Sequence, residues 1–378
     1  MKAGLYIAGI MLLSILLACG SQEEGAKKMS GTAGELIDEF KAHTKCLVLG
    51  EKDGSMLVVT PEYGARIMAV SVAGLNGKNL LWANPKAFTQ AYWTQSPRDW
   101  NIGGARSWIA PEDLYYLDKE DNWFVPAQMD PGTYQLVKVS GDTVICANEF
   151  KIKSRKDADY HVKLVRQINM LGRPADLAAS VKFTGFEFTH DLVNLSDKTI
   201  GTDLDYMGLW SLIQINPPGS MIIPINGDAP YDVPPYRDYF NVFPPDRISQ
   251  SNGLISVKID GKFRGKIGIT PWAAKGAFCY LSAGYMIIKE FPVDAEGKYL
   301  DHPWGKPSDY GDAVQMYNDD GNMGGFAEME CHAPADIIAP NAKISHTSKV
   351  YFFVGENETL IKIAADWLGI DMAQAKIY

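Results

Sequence analysis

The sequence predicts an all-β fold: a large two-sheet β-sandwich with short helices at its N- and C-terminal ends. Three observations predict it. Apolar residues recur with period two in many short runs, among them "SMLVVT", "ARIMAVSV", "TVICANEFKIK", "YHVKLVRQINM", "DLAASVKF", "FEFTHDLVNL", "YMIIKEF", "GFAEMEC" and "KISHTSKVYFFV", each bounded by Gly, Pro, Asn or Asp. Helical spacing is confined to "GELIDEFKAH", where Leu36, Ile37 and Phe40 share a face, and to the terminal "TLIKIAADWLGIDMAQA", with Leu360, Ile363, Ala364 and Trp367. So many strands run through roughly 345 residues with no break in composition and no fixed repeat, which favours a large sandwich over a small barrel or a propeller.

Taken from the start, the chain opens with a targeting segment. "MKAGLYIAGIMLLSILLACG" has Lys2, an apolar stretch from Leu5 to Leu17 too short for a comfortable span, and Leu-Leu-Ala before Cys19. That ending resembles a bacterial lipoprotein signal, so residues 1–18 are expected to be removed and Cys19 to carry the lipid that anchors the protein to the membrane. Gly20 follows in place of an aspartate, which points to the outer membrane. Residues 19–34 read as a flexible tether, and 35–378 as a single domain closed by a helix over 359–376.

The formal net charge of -9 and the lack of any Lys/Arg-rich stripe exclude nucleic acid as a partner. Cys46, Cys146, Cys279 and Cys331 lie far apart with no C-x-x-C spacing, so free thiols are expected and no metal site or cofactor is called for. "NDDGNMGG" lacks the spacing of a twelve-residue calcium loop and reads as a turn. Nine tryptophans suit an extracytoplasmic protein that presents flat rings to sugars.

Two stretches carry candidate chemistry. In "GFAEMEC" the alternation puts Phe326, Glu328 and Glu330 on one face and Ala327, Met329 and Cys331 on the other, so two carboxylates converge about 6 to 7 Å apart. In "NIGGARSWIAPE", Gly103 and Gly104 allow a tight turn, Arg106 is a donor, Trp108 a stacking platform, and Glu112 a partner for Arg106. Arg106 and Trp108 are expected to face Glu328 and Glu330 across one concave surface, and Trp108→Ala to weaken binding with little loss of stability. The Pro/Gly-rich "DHPWGKPSDYGD" adds His302 and Trp304, and "YDVPPYRDYFNVFPPDR" reads as a lid or rim. His190 is expected to be a satisfied core histidine, and His332 to orient Glu330.

"GGARSWIAPE" is similar to the Gly-Gly-x-Arg-x-Trp-x-x-Pro-Glu segment found in uncharacterised branches of the galactose mutarotase-like superfamily, which includes the aldose 1-epimerases. "HDLVNLSDKTIGTDLDYMGLWSLIQINPPGSMIIP" resembles its central strand pair and "FAEMECHAPADIIAPNAKISHTSKVYFF" its closing segment, in the same order from Leu47 to Val354. The resemblance implies a β-supersandwich with a carbohydrate cleft. It also implies a carboxylate base and a histidine acid where the fold is an epimerase. Glu330 takes the base position, with Glu328 as fallback. The chain departs at the acid: "LDYMGLWSL" has no histidine and Ala105 stands in the glycine motif where a related form has one, so His302 is the substitute. The expected function is a membrane-anchored carbohydrate-binding or carbohydrate-processing protein of the outer membrane. The alternatives are an active aldose 1-epimerase using Glu330 and His302, and a non-catalytic assembly component.

Overall fold

Among the described residues, nine strands form one antiparallel sheet and ten form the other, and the facing sides of the two share one apolar core. The computed structural model describes residues 31–202, 205–226, 234–251, 253–304 and 310–378. The leader, Cys19 and residues 19–30 of the tether lie outside the described residues. Among the described residues, no helix is long and apolar enough to cross a membrane. The two-sheet sandwich and its terminal helices match the expected fold class.

Five neighbouring strands of the nine-stranded sheet matter most: Ala105–Ala110, Gly208–Ile215, Ala327–His332, Val314–Asn318 and Gly265–Ile269, adjacent in that order. Because side chains alternate, Ala105, Ile213, Met329, Met316 and Ile267 enter the core against Phe186, Phe188, Ile287 and Phe352 of the other sheet. The residues between them are turned to the opposite face. The backs of these strands are clamped across the core by two buried cations. Arg166 donates to Ser107 Oγ at 2.8 Å, and Lys289 to the carbonyls of Ser211 and Met329 at 2.8 and 3.0 Å.

Gly103 and Gly104 are required for close approach. Their φ values are 112° and 77°. A Cβ would come within 2.4 Å of the Trp82 carbonyl at the first and of the Ile67 carbonyl at the second. The glycine pair thus lets the chain pass close to both carbonyls as it enters the strand Ala105–Ala110.

Helix Ala33–Phe40 begins with a capping box in which Thr32 and Glu35 satisfy each other's backbone, and it buries Leu36 and Phe40. The terminal helix runs over Asn357–Leu368, shorter than the expected 359–376, because Gly369 adopts φ 62° and a separate turn, Met372–Gln374, follows. "DLAASVKF" was expected as a strand, but pairing starts only at Lys182. Residues before it form a turn held by the Arg173 guanidinium, which donates to the carbonyls of Leu177, Ala178 and Val181. Cys46, Cys146, Cys279 and Cys331 are free thiols. His190 is fully buried as expected, yet neither ring nitrogen has a partner among the described residues; it packs edge-on to Phe188 at 4.0 Å.

Candidate functional site

The outer face of the five strands is a grid of chemistry-bearing side chains. One row of cross-strand neighbours runs Arg106, Leu212, Glu330, Gln315, and the next runs Gln214, Glu328, Tyr317, Lys266. A third pairs Trp108 with Trp210 and Trp210 with His332. The rows are one strand-pleat apart, so groups distant in sequence meet directly. Arg106, Glu328, Glu330, Lys266 and Tyr317 among them line a cleft of about 150 Å³ that is walled by Trp100, Trp108, Trp123, Trp210, Trp304 and Phe240.

The expected convergence of the two stretches is present in the geometry. Arg106 Nη2 donates to Glu328 Oε1 at 2.7 Å although the residues are 222 apart in sequence. Arg106, Trp108, Glu112, Glu328, Glu330 and Trp304 all line the cleft. His302 does not. It lies against Pro111, Asp113 and Leu114 in a separate small pocket, with Nδ1 3.1 Å from the Pro303 carbonyl, so it cannot serve as acid to Glu330. Glu112 pairs with Lys266 and not with Arg106: Glu112 Oε2 is 3.6 Å from Lys266 Nζ, and Glu112 Oε1 accepts from Trp123 Nε1 at 3.1 Å.

Trp108 is 2% exposed and packs against Trp100, Tyr116 and Trp210. Its indole N–H is given to Asp130 Oδ2 at 2.6 Å, and the Arg106 guanidinium lies 4.2 Å above its ring. It is therefore a structural floor of the cleft. The expectation that its removal would spare stability is corrected by this packing. Trp100, Trp123 and Trp304 are only partly buried, and Phe240, from the segment read as a lid or rim, is exposed.

Charge is layered beneath the indoles. Asp130 binds Arg66 and lies 3.9 Å from Arg106 Nε, which extends the chain of alternating charge to Glu328. Lys266 is surrounded by Glu330 at 3.4 Å, Glu112 at 3.6 Å and Asp301 at 3.9 Å. Burial alone would drain its proton, but Glu330, Glu112 and Asp301 together hold the ammonium well above its ordinary range. Burial raises the Glu330 and Glu112 carboxyls, with Lys266 opposing and the neighbouring carboxylates assisting. His332 is pushed down to about 3 by burial and stacks on Trp210 at 5.1 Å. It supports the Trp210 ring, whose Nε1 donates to Glu330 Oε2 at 2.9 Å, so its hold on Glu330 is indirect.

Sequence reasoning missed Lys266, Asp130, Trp100, Trp123 and Trp210 as members of this site. The available signal for Lys266 was a single cation inside the apolar "GKIGIT", where an unpaired Lys on a strand calls for a buried counter-charge.

The family model for the family of unknown function DUF6786 matches residues 32–378. The chain belongs to that family. No curated protein matches it. Among solved structures it is similar to a protein from Escherichia coli K12 described as a "Putative aldose 1-epimerase", at 12% identity and TM-score 0.52, covering 82% of this chain and 99% of that one. It also resembles galactose mutarotase-like proteins from Lactobacillus casei at 10% identity, covering 82% and 100% with TM-score 0.46, and from Clostridium acetobutylicum at 13%, covering 82% and 96% with TM-score 0.46. At such identities the likeness speaks for the fold alone, and the fold of this DUF6786 chain is the galactose mutarotase-like sandwich.

One consequence of the buried carboxyls is a pH-dependent stability difference. The folded Glu330 carboxyl keeps its proton above the range in which the unfolded one has lost it. Stability from this group is therefore fully present below the unfolded value and lost as pH rises through the folded one. Glu330→Gln removes the titration. The unfolding free energy of the parent minus that of the variant should fall with rising pH across this window, at up to about 1.4 kcal/mol per pH unit. Urea titrations at several pH values measure it, and a difference that rises with pH would contradict the raised carboxyl.

Proposed function

We propose that this DUF6786 chain is a lipid-anchored protein of the cell envelope that binds a carbohydrate in the cleft over Glu328 and Glu330. The observation that carries the reading is an indole-walled cleft whose lining residues include buried hydrogen-bonding atoms without partners. Glu330 Oε1, Arg106 Nη1 and Trp304 Nε1 have no partner among the described residues. Buried polar atoms of this kind are costly unless a ligand completes them. A hydroxyl can donate to the first and accept from the others, while the C–H face of a sugar ring lies on an indole.

The charge balance favours a neutral sugar over a uronic acid. Arg66, Arg106 and Lys266 are buried with Asp130, Glu112, Asp301, Glu328 and Glu330, so carboxylates outnumber cations around the cleft. An added carboxylate would meet like charge and find both cleft cations already paired. The anchor rests on Cys19 and its flanks, and Cys19→Ala should release the protein from the detergent-soluble membrane fraction.

Binding is tested by tryptophan fluorescence and calorimetry against a panel of neutral monosaccharides and uronic acids. Saturable quenching by a neutral sugar is the expected result. No response to any sugar at millimolar concentration would sink the reading, as would a preference for the uronic acids.

A further inference from the structure

We propose that an open groove beside helix Ala33–Phe40 is the docking site of this chain's own segment 25–29, "GAKKM", and that docking draws the body of the protein toward Cys19. The segment lies outside the described residues. The groove shares no lining residue with the cleft over Glu328 and Glu330. It measures about 640 Å³, several times that cleft, and so has room for a stretch of chain. Glu35, Asp38 and Glu39 line it from the helix, Leu81 and Ala83 from the extended segment after Asn79, and Phe88 from the turn Pro85–Phe88.

The direction in which the chain enters selects the occupant. Thr32 forms an antiparallel bridge with Lys78, in which the Ala33 N–H donates to the Gly77 carbonyl at 3.0 Å and the Asn79 N–H to the Gly31 carbonyl at 2.8 Å. Gly31 has φ 74°, its N–H donates to Glu35 Oε2 at 2.9 Å, and it lines the groove itself. In an antiparallel register each step back along one segment is a step forward along the other. Continued through residue 31, the bridge sets Met29 beside Leu81 and Lys27 beside Ala83. The N–H groups of Trp82 and Asn84 turn inward, to the carbonyls of Gln214 and Ile102, so those of Leu81 and Ala83 alternate to the side of the entering chain. Leu81 gives its N–H to Asn79 Oδ1 at 3.0 Å, and Ala83 carries the next outward donor.

Charge and shape agree with that occupant. Lys27 and Lys28 bring positive charge to a groove lined by three carboxylates and one lysine, Lys78, whose ammonium sits over the Tyr285 ring at 5.1 Å. The local partners of two of these carboxylates hold them weakly: Lys41 lies 2.6 Å from Asp38 with both side chains largely exposed, and His43 lies 3.9 Å from Glu39. Met29, unbranched and apolar, suits a surface of Leu81 and Phe88. Contacts of this strength suffice in a segment joined directly to its groove, where the effective concentration is on the order of millimolar. Docking leaves residues 19–24 as the leash, with a reach of roughly 20 Å in place of roughly 40 Å for residues 19–30. With the lipid on Cys19, as in the reading above, the shorter leash holds the face of helix Ala33–Phe40 at the membrane.

The test uses the full chain in detergent solution. Trypsin cuts after Lys27 and Lys28, and a glutamate-specific protease after Glu23 and Glu24, just outside the docked segment. In Asp38→Asn/Glu39→Gln, tryptic cleavage at Lys27 and Lys28 should become about tenfold faster, because cleavage follows the undocked fraction, while cleavage at Glu23 and Glu24 should change by less than about twofold. Under mild oxidation Lys27→Cys/Ala83→Cys should form a disulfide within one chain, and Lys28→Cys/Ala83→Cys, one residue out of register, should form it at least about threefold more slowly. Circular dichroism establishes that each variant is folded. Cys19→Ala should show the same protection from trypsin, so a failure of the lipid reading leaves this result standing. Equal tryptic rates in the parent and Asp38→Asn/Glu39→Gln overturn the docking, as does equal cross-linking of the two cysteine pairs. Disulfide-linked dimers in place of the bond within one chain overturn it in favour of a groove that takes the segment of a second copy.

Discussion

Asp130→Asn is expected to lower the unfolding free energy by about 3 to 5 kcal/mol, because it takes the negative member out of a buried charge chain while leaving the positive ones in place. Asp130 is 1% exposed and accepts from Arg66 and from Trp108 Nε1, with Arg106 Nε 3.9 Å away. Asparagine keeps the shape and one acceptor oxygen, so lost packing does not explain the effect. Arg106 retains Glu328. Arg66 retains only the carbonyls of Gly103 and Trp100, at 2.7 and 2.6 Å, and a guanidinium with 0% side-chain exposure is then left without an opposite charge. Urea denaturation of parent and variant reads the difference. A loss under about 1 kcal/mol would mean that carbonyl dipoles suffice to hold Arg66 and that Asp130 serves the cleft and not the fold.

How far this site was legible follows from which forces leave a mark along the chain. The pleat does: alternation in "GFAEMEC" separates Glu328 and Glu330 from Met329 and Cys331, and the structure has that separation. Close backbone approach does as well, since Gly103 and Gly104 stand where a Cβ would strike a neighbouring carbonyl. Strand order leaves none. That Gly208–Ile215 lies between Ala105–Ala110 and Ala327–His332, and that Gly265–Ile269 lies two strands beyond, is settled by the packing of the whole sheet. Lys266 therefore could not be matched with Glu330 and Glu112 from their positions in sequence. His302 shows the converse limit. Loop composition marks "DHPWG" as binding-like, and Trp304 does line the cleft, but two residues earlier the chain points His302 toward Asp113. Composition locates a loop without giving the direction of each side chain.

The aromatic wall supplies the second large effect and a separation of roles. Trp108→Ala should cost about 3 to 5 kcal/mol of stability, the range for truncating a large buried aromatic. It removes a ring that touches Trp100, Tyr116 and Trp210, the surface under the Arg106 guanidinium, and a donor to Asp130. Trp123 is different. It is only partly buried, and its ties are to Trp100, to Trp108 and through Nε1 to Glu112. Trp123→Ala should change the melting temperature little but weaken sugar binding by about 1 to 3 kcal/mol, because it deletes a face on which a ring can lie. Trp123→Phe should restore most of that binding, since it returns the face and omits only the N–H held by Glu112. The decisive comparison is therefore between faces and donors. Should Phe fail to rescue while Ala and Phe weaken binding equally, Trp123 would act by holding Glu112, and the stacking surface would have to lie on Trp100 or Trp304. Should Trp108→Ala melt at the parental temperature, the floor of the cleft would be held by Asp130 and its arginines alone, and Trp108 would return to the role of a ligand platform.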